Sequence, residues 1–247
     1  MDKKIDIRQL NLEELTSKLT DLGEKPFRAK QIHEWLWKKR ATSFDQMTNL
    51  SLSLRKTIED NFIINAIQLT EAQKSNDKTI KNAFLLADSS VVEGVLIPTK
   101  KRMTACVSVQ VGCSLDCAFC ATGKLKRVRN LNPDEIYDQV VMISQQSKNE
   151  YDIPLSNIVF MGMGEPLLNY KNVISSIDKI TSKDGLGMSP KRITVSTAGI
   201  ANRIIRLADD EVKFNLALSL HSANDQKRNK ITPVNESNSL EVLKKAM

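Results

Sequence analysis

The second half of the chain alternates between two hydrophobic periods, and that alternation limits the folds open to it. The runs NIVFMGM, RITVST and KFNLALSLH read as strands. Between them NVISSIDKITS and GIANRIIRLAD carry the three- and four-residue apolar spacing of helices, and a further helix begins in SLEVLKKAM. Repeated strand-then-helix units imply a parallel sheet with helices packed outside it. Whether such a sheet is open or curled into a barrel, its site lies at the carboxyl ends of the strands. The residues able to do chemistry fall there. A cysteine cluster follows CVSVQVG, GMGEPL follows NIVF, STAG follows RITV and SLHS follows FNLAL.

The first sixty or so residues read as helical. In KPFRAKQIHEWLWKKR, Ala29, Ile32 and Leu36 recur at helical steps and Pro26 suits a first turn; LSLSLRKTIEDNF suggests another helix. The basic remainder is either a solvated face or a nucleic-acid surface. From about Ile67 to Gln110 the pattern turns to strands: IQLTEAQ, TIKNAFLLAD, SVVEGVLIP and MTACVSVQ, with a turn at Asp88-Ser89-Ser90. Alternation sets Glu93 on one face with Val91, Val95 and Ile97. If that face is buried, the carboxyl pKa rises and the group suits a general base; if it faces solvent, Glu93 is an ordinary surface residue.

Three of the four cysteines, Cys113, Cys117 and Cys120, stand within eight residues. A four-iron cube is usually held by one thiolate per iron. Three ligands leave one iron with an open position, which a reactive centre has and a structural centre lacks. The competing readings are a zinc site with Cys106 as fourth ligand, or inert buried cysteines. Zinc sites usually pair their ligands across two short loops. Clustered thiols, and a charged start without the apolar core of a secretory signal, suit a reducing cytoplasm.

The spacing Cys113-x3-Cys117-x2-Cys120, with Phe119 before the last cysteine, resembles the signature of the radical S-adenosylmethionine (SAM) superfamily. GMGEPL, from Gly162 to Leu167, is similar to its second signature. GEKPFRAKQIHEWLWKK, CVSVQVGCSLDCAFCATG, NIVFMGMGEPLLNY, ITVSTAGI and LALSLHS together resemble the RlmN family, whose members methylate C2 of adenosine in 23S rRNA and in some tRNAs. The resemblance implies an α/β fold: a partial (β/α)6 radical SAM barrel, cut here after about four strands. A helical N-terminal, RNA-binding-like domain would occupy 1–65, a short antiparallel β segment 66–102 and the radical SAM core 103–247.

It also implies one [4Fe-4S] cluster on Cys113, Cys117 and Cys120, and SAM contacts at Gly164, Glu165, Ser196, Ser219, Leu220 and His221. Glu93 would accept a proton, and Cys106 would resolve a protein–RNA crosslink by attacking a methylated sulfur. In the family that sulfur belongs to a C-terminal cysteine that first receives the methyl group. No cysteine follows Cys120, so the chain is expected to be an N-terminal portion, with an exposed sheet edge, that does not complete methyl transfer alone.

A net charge of +7 gives a weak push toward a polyanionic partner. The run KLKRVRN, holding Lys124, Lys126, Arg127 and Arg129, either contacts phosphates near the site or is a solvated loop. Expected partners are 23S rRNA, tRNA and a reducing electron-donor protein. No membrane is expected, because no apolar run nears the roughly 20 residues of a spanning helix. The alternatives are a Cfr-like enzyme acting at adenine C8 and a non-catalytic, cluster-containing RNA-binding protein.

Overall fold

The computed structural model describes residues 4–247, which form two compact units: 4–66 with Asp178–Met188, and Ile67–Ile177 with Ser189–Met247. In the first unit the elements are β1 (Ile5–Asp6), α1 (Leu12–Asp21), α2 (Phe27–Trp37), α3 (Leu52–Asn61) and β2 (Phe62–Ile63), with β1 and β2 paired in parallel. Each helix starts where the sequence supplies a start. Asn11 and Glu14 form a capping box on α1, Pro26 precedes α2, and the Ser51 hydroxyl accepts the Leu54 N–H at 3.2 Å. The expected stripe of Ala29, Ile32 and Leu36 is buried, together with Trp37, Met47, Leu54 and Ile58.

The second unit is built on one seven-stranded sheet. Its strands are β3 (Gln68–Lys74), β4 (Ile80–Leu85), β5 (Val91–Pro98), β6 (Met103–Cys106), β9 (Asn157–Phe160), β10 (Ile193–Thr197) and β11 (Asn215–Leu218), in the order β11-β10-β9-β6-β5-β4-β3. The run β6, β9, β10, β11 is parallel, and β5, β4 and β3 extend it antiparallel. The fold is thus the expected α/β partial barrel, with the antiparallel segment continuing the same sheet. A small ladder of β7 (Gln110–Val111) and β8 (Arg129–Asn130) closes the cysteine loop at its base. The crossovers carry α4 (Pro133–Tyr151), α5 (Tyr170–Thr181) and α6 (Ala201–Asp209); α7 (Asp225–Ile231) and α8 (Leu240–Ala246) follow β11.

The longest helix, α4, is absent from the expectations. It has clear start signals: Pro133 at its first position and Glu135, whose carboxylate accepts the Asn132 N–H at 2.8 Å. Its Ile136, Val140 and Ile143 are fully buried, each contributing about 1.5–3 kcal/mol over an exposed position. The helix covers the face of β5 that carries Val92 and Leu96, and Gln146 exchanges two 2.9 Å hydrogen bonds with buried Asn82 of β4. The opposite face, with Val91, Glu93, Val95 and Ile97, is the more open one. Of the two environments open to Glu93 the structure shows the solvent-facing one: its carboxylate is about half exposed and pairs with Lys81 at 3.2 Å.

Candidate functional site

Four strands end on one side of the parallel half of the sheet, and the loops that follow them enclose an open cleft of about 240 Å3. Its walls are Cys113, Cys117, Phe119 and Cys120 from the cysteine loop, Met161, Gly162 and Gly164 to Pro166 from the loop after β9, Ser196 to Ala198 at the end of β10, and Ser219 and His221 after β11. The strand-end placement expected from the βα pattern puts these separate stretches together.

The cysteine loop is folded by its own backbone. Cys113 N–H bonds to the Leu125 carbonyl at 3.2 Å, Cys120 N–H to the Cys117 carbonyl at 3.0 Å, and Gly123 N–H to the Cys120 carbonyl at 3.1 Å. Ala118 N–H reaches the Ile231 carbonyl at the end of α7, at 3.0 Å. All three thiols are free and half-buried. Burial raises the Cys113 pKa and lifts Cys117 to about 11, and the neighbouring thiols and Glu165 push the same way. Three thiolates crowded together are unfavourable by themselves, whereas metal binding favours their deprotonated form.

Glu165 is only 4% exposed, and burial raises its pKa. Against that, its carboxylate accepts N–H groups from Leu167 at 3.0 Å and from Ala198 at 2.8 Å. These bonds join the loop after β9 to the end of β10. The Thr197 hydroxyl is a third donor to this carboxylate; of its roughly four lone-pair positions one remains for an ammonium group in the cleft. The Ser196 and Ser219 hydroxyls lie 3.0 Å apart on adjacent strands, and Ser219 N–H bonds to the Thr197 carbonyl at 2.9 Å. The His221 ring packs on Phe119 with centroids 4.0 Å apart.

Three predicted residues stand off the cleft. Cys106, at the end of β6, is buried; desolvation raises its pKa to about 11, opposed by the Met161 N–H, and Met161 itself lines the cleft. Leu220 turns its carbonyl to the Arg228 Nε at 3.1 Å. Glu93 carries its side chain outward, but its backbone is tied to the site: Ser108 Oγ donates to the Glu93 carbonyl at 2.5 Å and accepts Met163 N–H at 2.8 Å. In the basic run, Lys124, Lys126 and Arg127 are exposed, whereas Arg129 is held by Glu135 at 2.7 Å and Asp88 at 2.6 Å. The phosphate-contact reading is therefore narrowed to the first three.

Several supports escaped the sequence reading. Ser108 and Gln110 are fully buried; Gln110 Oε1 accepts Glu165 N–H at 2.9 Å while its amide donates to Asn130 at 2.8 Å. A Cβ on Gly162 would stand 2.7 Å from Ser108 Oγ, so glycine permits this close approach. The only local signal for these supports is a polar residue in an apolar strand end, as in CVSVQVG.

The donor set fits an iron–sulfur cluster. Soft thiolates select such clusters or zinc, and a single zinc ion needs ligands converging at about 2.3 Å. Among the described residues no three His, Cys, Asp or Glu side chains converge on one ion, and Cys106 lies outside the cleft. Three free thiols lining one cleft suit three irons of a cube.

Residues 5–64 match the family model for the ribosomal RNA large subunit methyltransferase N-terminal domain, and residues 107–247 match that for the radical SAM superfamily. The chain is 60% identical, over all its length and 70% of the relative's, to a probable dual-specificity RNA methyltransferase RlmN of Christiangramia forsetii. It is 58% identical, over 99% of its length and 67% of the relative's, to a protein of the same description from Cytophaga hutchinsonii. A radical SAM methyltransferase from Sphaerobacter thermophilus has the same fold, with a TM-score of 0.89, 35% identity, and coverage of 98% of this chain and 71% of that one. Matches to both family models, in order along the chain and over a cleft walled by three free cysteines, make this chain a member of the RlmN family of radical SAM methyltransferases, which use a [4Fe-4S] cluster and SAM.

Proposed function

We propose that this protein methylates C2 of adenosine in 23S rRNA and tRNA, with Cys113, Cys117 and Cys120 holding the cluster and the neighbouring strand ends holding SAM. The observation that carries the reading is the convergence of those three thiols with Gly164, Glu165, Ser196, Ser219 and His221 on one cleft. When bound, the cluster supplies the electron that cleaves SAM to methionine and a 5′-deoxyadenosyl radical.

The protein's own residues have distinct tasks. Glu165, fixed by two backbone N–H groups, orients the ammonium of the methionine end. Ser196 and Ser219 present hydroxyls that can turn to polar groups of the nucleoside end, and the Leu220 segment frames that end through its backbone. Cys106 stays neutral until its attack, because a buried thiol with a pKa near 11 is a weak nucleophile in the resting state. Glu93, exposed at the outer face of β5, receives the proton only if RNA or a change of rotamer detaches it from Lys81. Residues 1–65 act as an RNA-binding domain, a role supported by the Arg28, Lys39 and Trp35 side chains exposed or half-exposed along and just beyond α2. The redox step requires a low-potential donor protein, and free clustered thiols suit the cytoplasm. Among the described residues, no helix is long and apolar enough to cross a membrane.

The test is anaerobic reconstitution with iron and sulfide. The expected results are about four irons per chain, a cluster spectrum that changes on adding SAM, and reductant-dependent release of 5′-deoxyadenosine. Each of Cys113→Ala, Cys117→Ala and Cys120→Ala should abolish all three. A bound zinc ion, or a cluster indifferent to SAM, refutes the assignment. With RNA present, mass spectrometry of digested nucleosides separates C2 from C8 methylation.

A further inference from the structure

Arg228 of α7 is 0% exposed, yet none of its hydrogen-bond acceptors is a carboxylate. Its Nε donates to the Leu220 carbonyl at 3.1 Å, its Nη2 to the Ala198 carbonyl at 2.5 Å, and its Nη1 to Asn235 Oδ1. A buried guanidinium held only by neutral oxygens carries an uncompensated charge, which is costly unless an anion stands near. The ionisable groups coupled to it are Asp225 and Cys117, and in their charged forms both oppose the downward pull of burial on its pKa. Asp225 is itself engaged by Asn235 Nδ2 at 2.7 Å and Leu240 N–H at 3.0 Å. The same helix ends with the Ile231 carbonyl bonded to Ala118, the residue after Cys117. The helix is thus tied by its end to the cysteine loop, and its cation to two cleft-forming segments.

We propose that Arg228 is the fixed counter-charge of this site: it locks the Ala198 and Leu220 carbonyls in place and makes one-electron reduction of a cluster on Cys113, Cys117 and Cys120 easier. The inference rests on the assignment of those cysteines under the proposed function. A cluster bearing three thiolates is anionic, and reduction adds one electron from an external low-potential donor without breaking a bond or moving a proton at Arg228. A nearby positive charge stabilises the reduced state over the oxidised one, because net charge around a cluster sets its potential. Arginine suits the position since its planar fork reaches three acceptors from one buried place, which a lysine ammonium does less well.

The experiment compares the parent chain with R228Q, R228K and D225N, each reconstituted anaerobically and titrated with a graded series of reductants followed by electron paramagnetic resonance. In R228Q the ratio of reduced to oxidised cluster at a fixed poise should fall tenfold, a shift of about 59 mV to more negative potential for a one-electron couple. R228K should keep the parent potential but bind SAM several-fold more weakly, because its charge remains while its grip on Ala198 and Leu220 is lost. D225N should shift the potential in the positive direction. A purely structural arginine predicts lower cluster occupancy or thermal stability in R228Q with the parent potential in whatever cluster forms, and that result overturns the proposal. If R228Q fails to fold, an unchanged potential in D225N overturns it. A parent chain that assembles no cluster removes the cysteine assignment and this inference together, whereas a parent cluster with indifferent variants removes this inference alone.

Discussion

Replacing Gly164 by alanine tests whether the loop after β9 is held by backbone geometry and close packing. Its φ is +94°, where an L-residue carries a torsional cost of about 1–2 kcal/mol. The added Cβ would also stand 2.4 Å from Gln110 Cβ and 2.6 Å from its Cγ, against ordinary carbon contacts of about 3.5–4.0 Å. Gln110 cannot yield easily. It is fully buried, and its two polar ends are bonded to Glu165 N–H and to Asn130. Displacing it leaves the buried Glu165 N–H without an acceptor, at about 1–3 kcal/mol. The sum is about 2–5 kcal/mol, or roughly 4–20 °C in melting temperature at about 2–4 °C per kcal/mol for a unit of this size. The control is Gly187→Ala, where φ is +64° and nothing lies within 4 Å of the added carbon, so the torsional part alone remains. Differential scanning calorimetry of the apoprotein, reading the transition of each unit, decides between them. A Gly164→Ala destabilisation, converted to kcal/mol for its own unit, no larger than that of Gly187→Ala would refute the steric argument.

Other consequences can be measured on the same protein. The Cys106 thiol is raised from an ordinary 9.0 to about 11, so the native state favours its neutral form. Its stabilising contribution is complete below pH 9, is lost as pH rises through about 11, and amounts to about 3 kcal/mol. Urea denaturation of the apoprotein should show this alkaline loss, and Cys106→Ala should reduce it, leaving the part due to Cys113 and Cys117; an equal slope in both would exclude Cys106 as a source. In the basic loop, the triple change of Lys124, Lys126 and Arg127 to glutamate should reduce the slope of log affinity for RNA against log salt by about 0.7–0.9 per phosphate contact removed. Arg129→Gln should instead lower stability, because its partners are Glu135 and Asp88, and an effect confined to RNA affinity would contradict that pairing.

Much of the architecture was legible because the βα period and the strand-end rule act locally and leave repeated signals. The cysteine loop, GMGEPL, STAG and SLHS meet in one cleft because parallel strands must all end on the same side. What failed is linked. The phase of β5 was right, but alternation gives two faces without saying which is covered, and the unrecognised α4 is what covers the other one. Missing the Asn132–Glu135 start signal thus left the environment of Glu93 undecided. The supports Ser108, Gln110 and Arg228 were illegible for another reason. Ser108 and Gln110 pair with residues 55 positions away and Arg228 reaches across 30, so only the assembled sheet gives these polar side chains their partners.

Those supports form a relay across the strand ends. Ser108 joins the β5 backbone to Met163, Gln110 joins the β7–β8 ladder to Glu165, Glu165 joins the loop after β9 to Ala198, and Arg228 joins Ala198 to Leu220. Each link ties together segments that belong to different strands or loops. A buried polar group left without its partner costs about 1–3 kcal/mol, so a displaced loop leaves one or more links unsatisfied. Sliding one loop relative to the next is therefore penalised even in the apoprotein, and the cleft is shaped before any ligand enters. Such preorganisation matters for a site meant to hold a strongly oxidising carbon radical, because a reactive species trapped beside a mobile wall would abstract hydrogen from the wall. The cleft places its stiffness in buried backbone-to-side-chain bonds and leaves its exposed aromatic and histidine, Phe119 and His221, at the mouth.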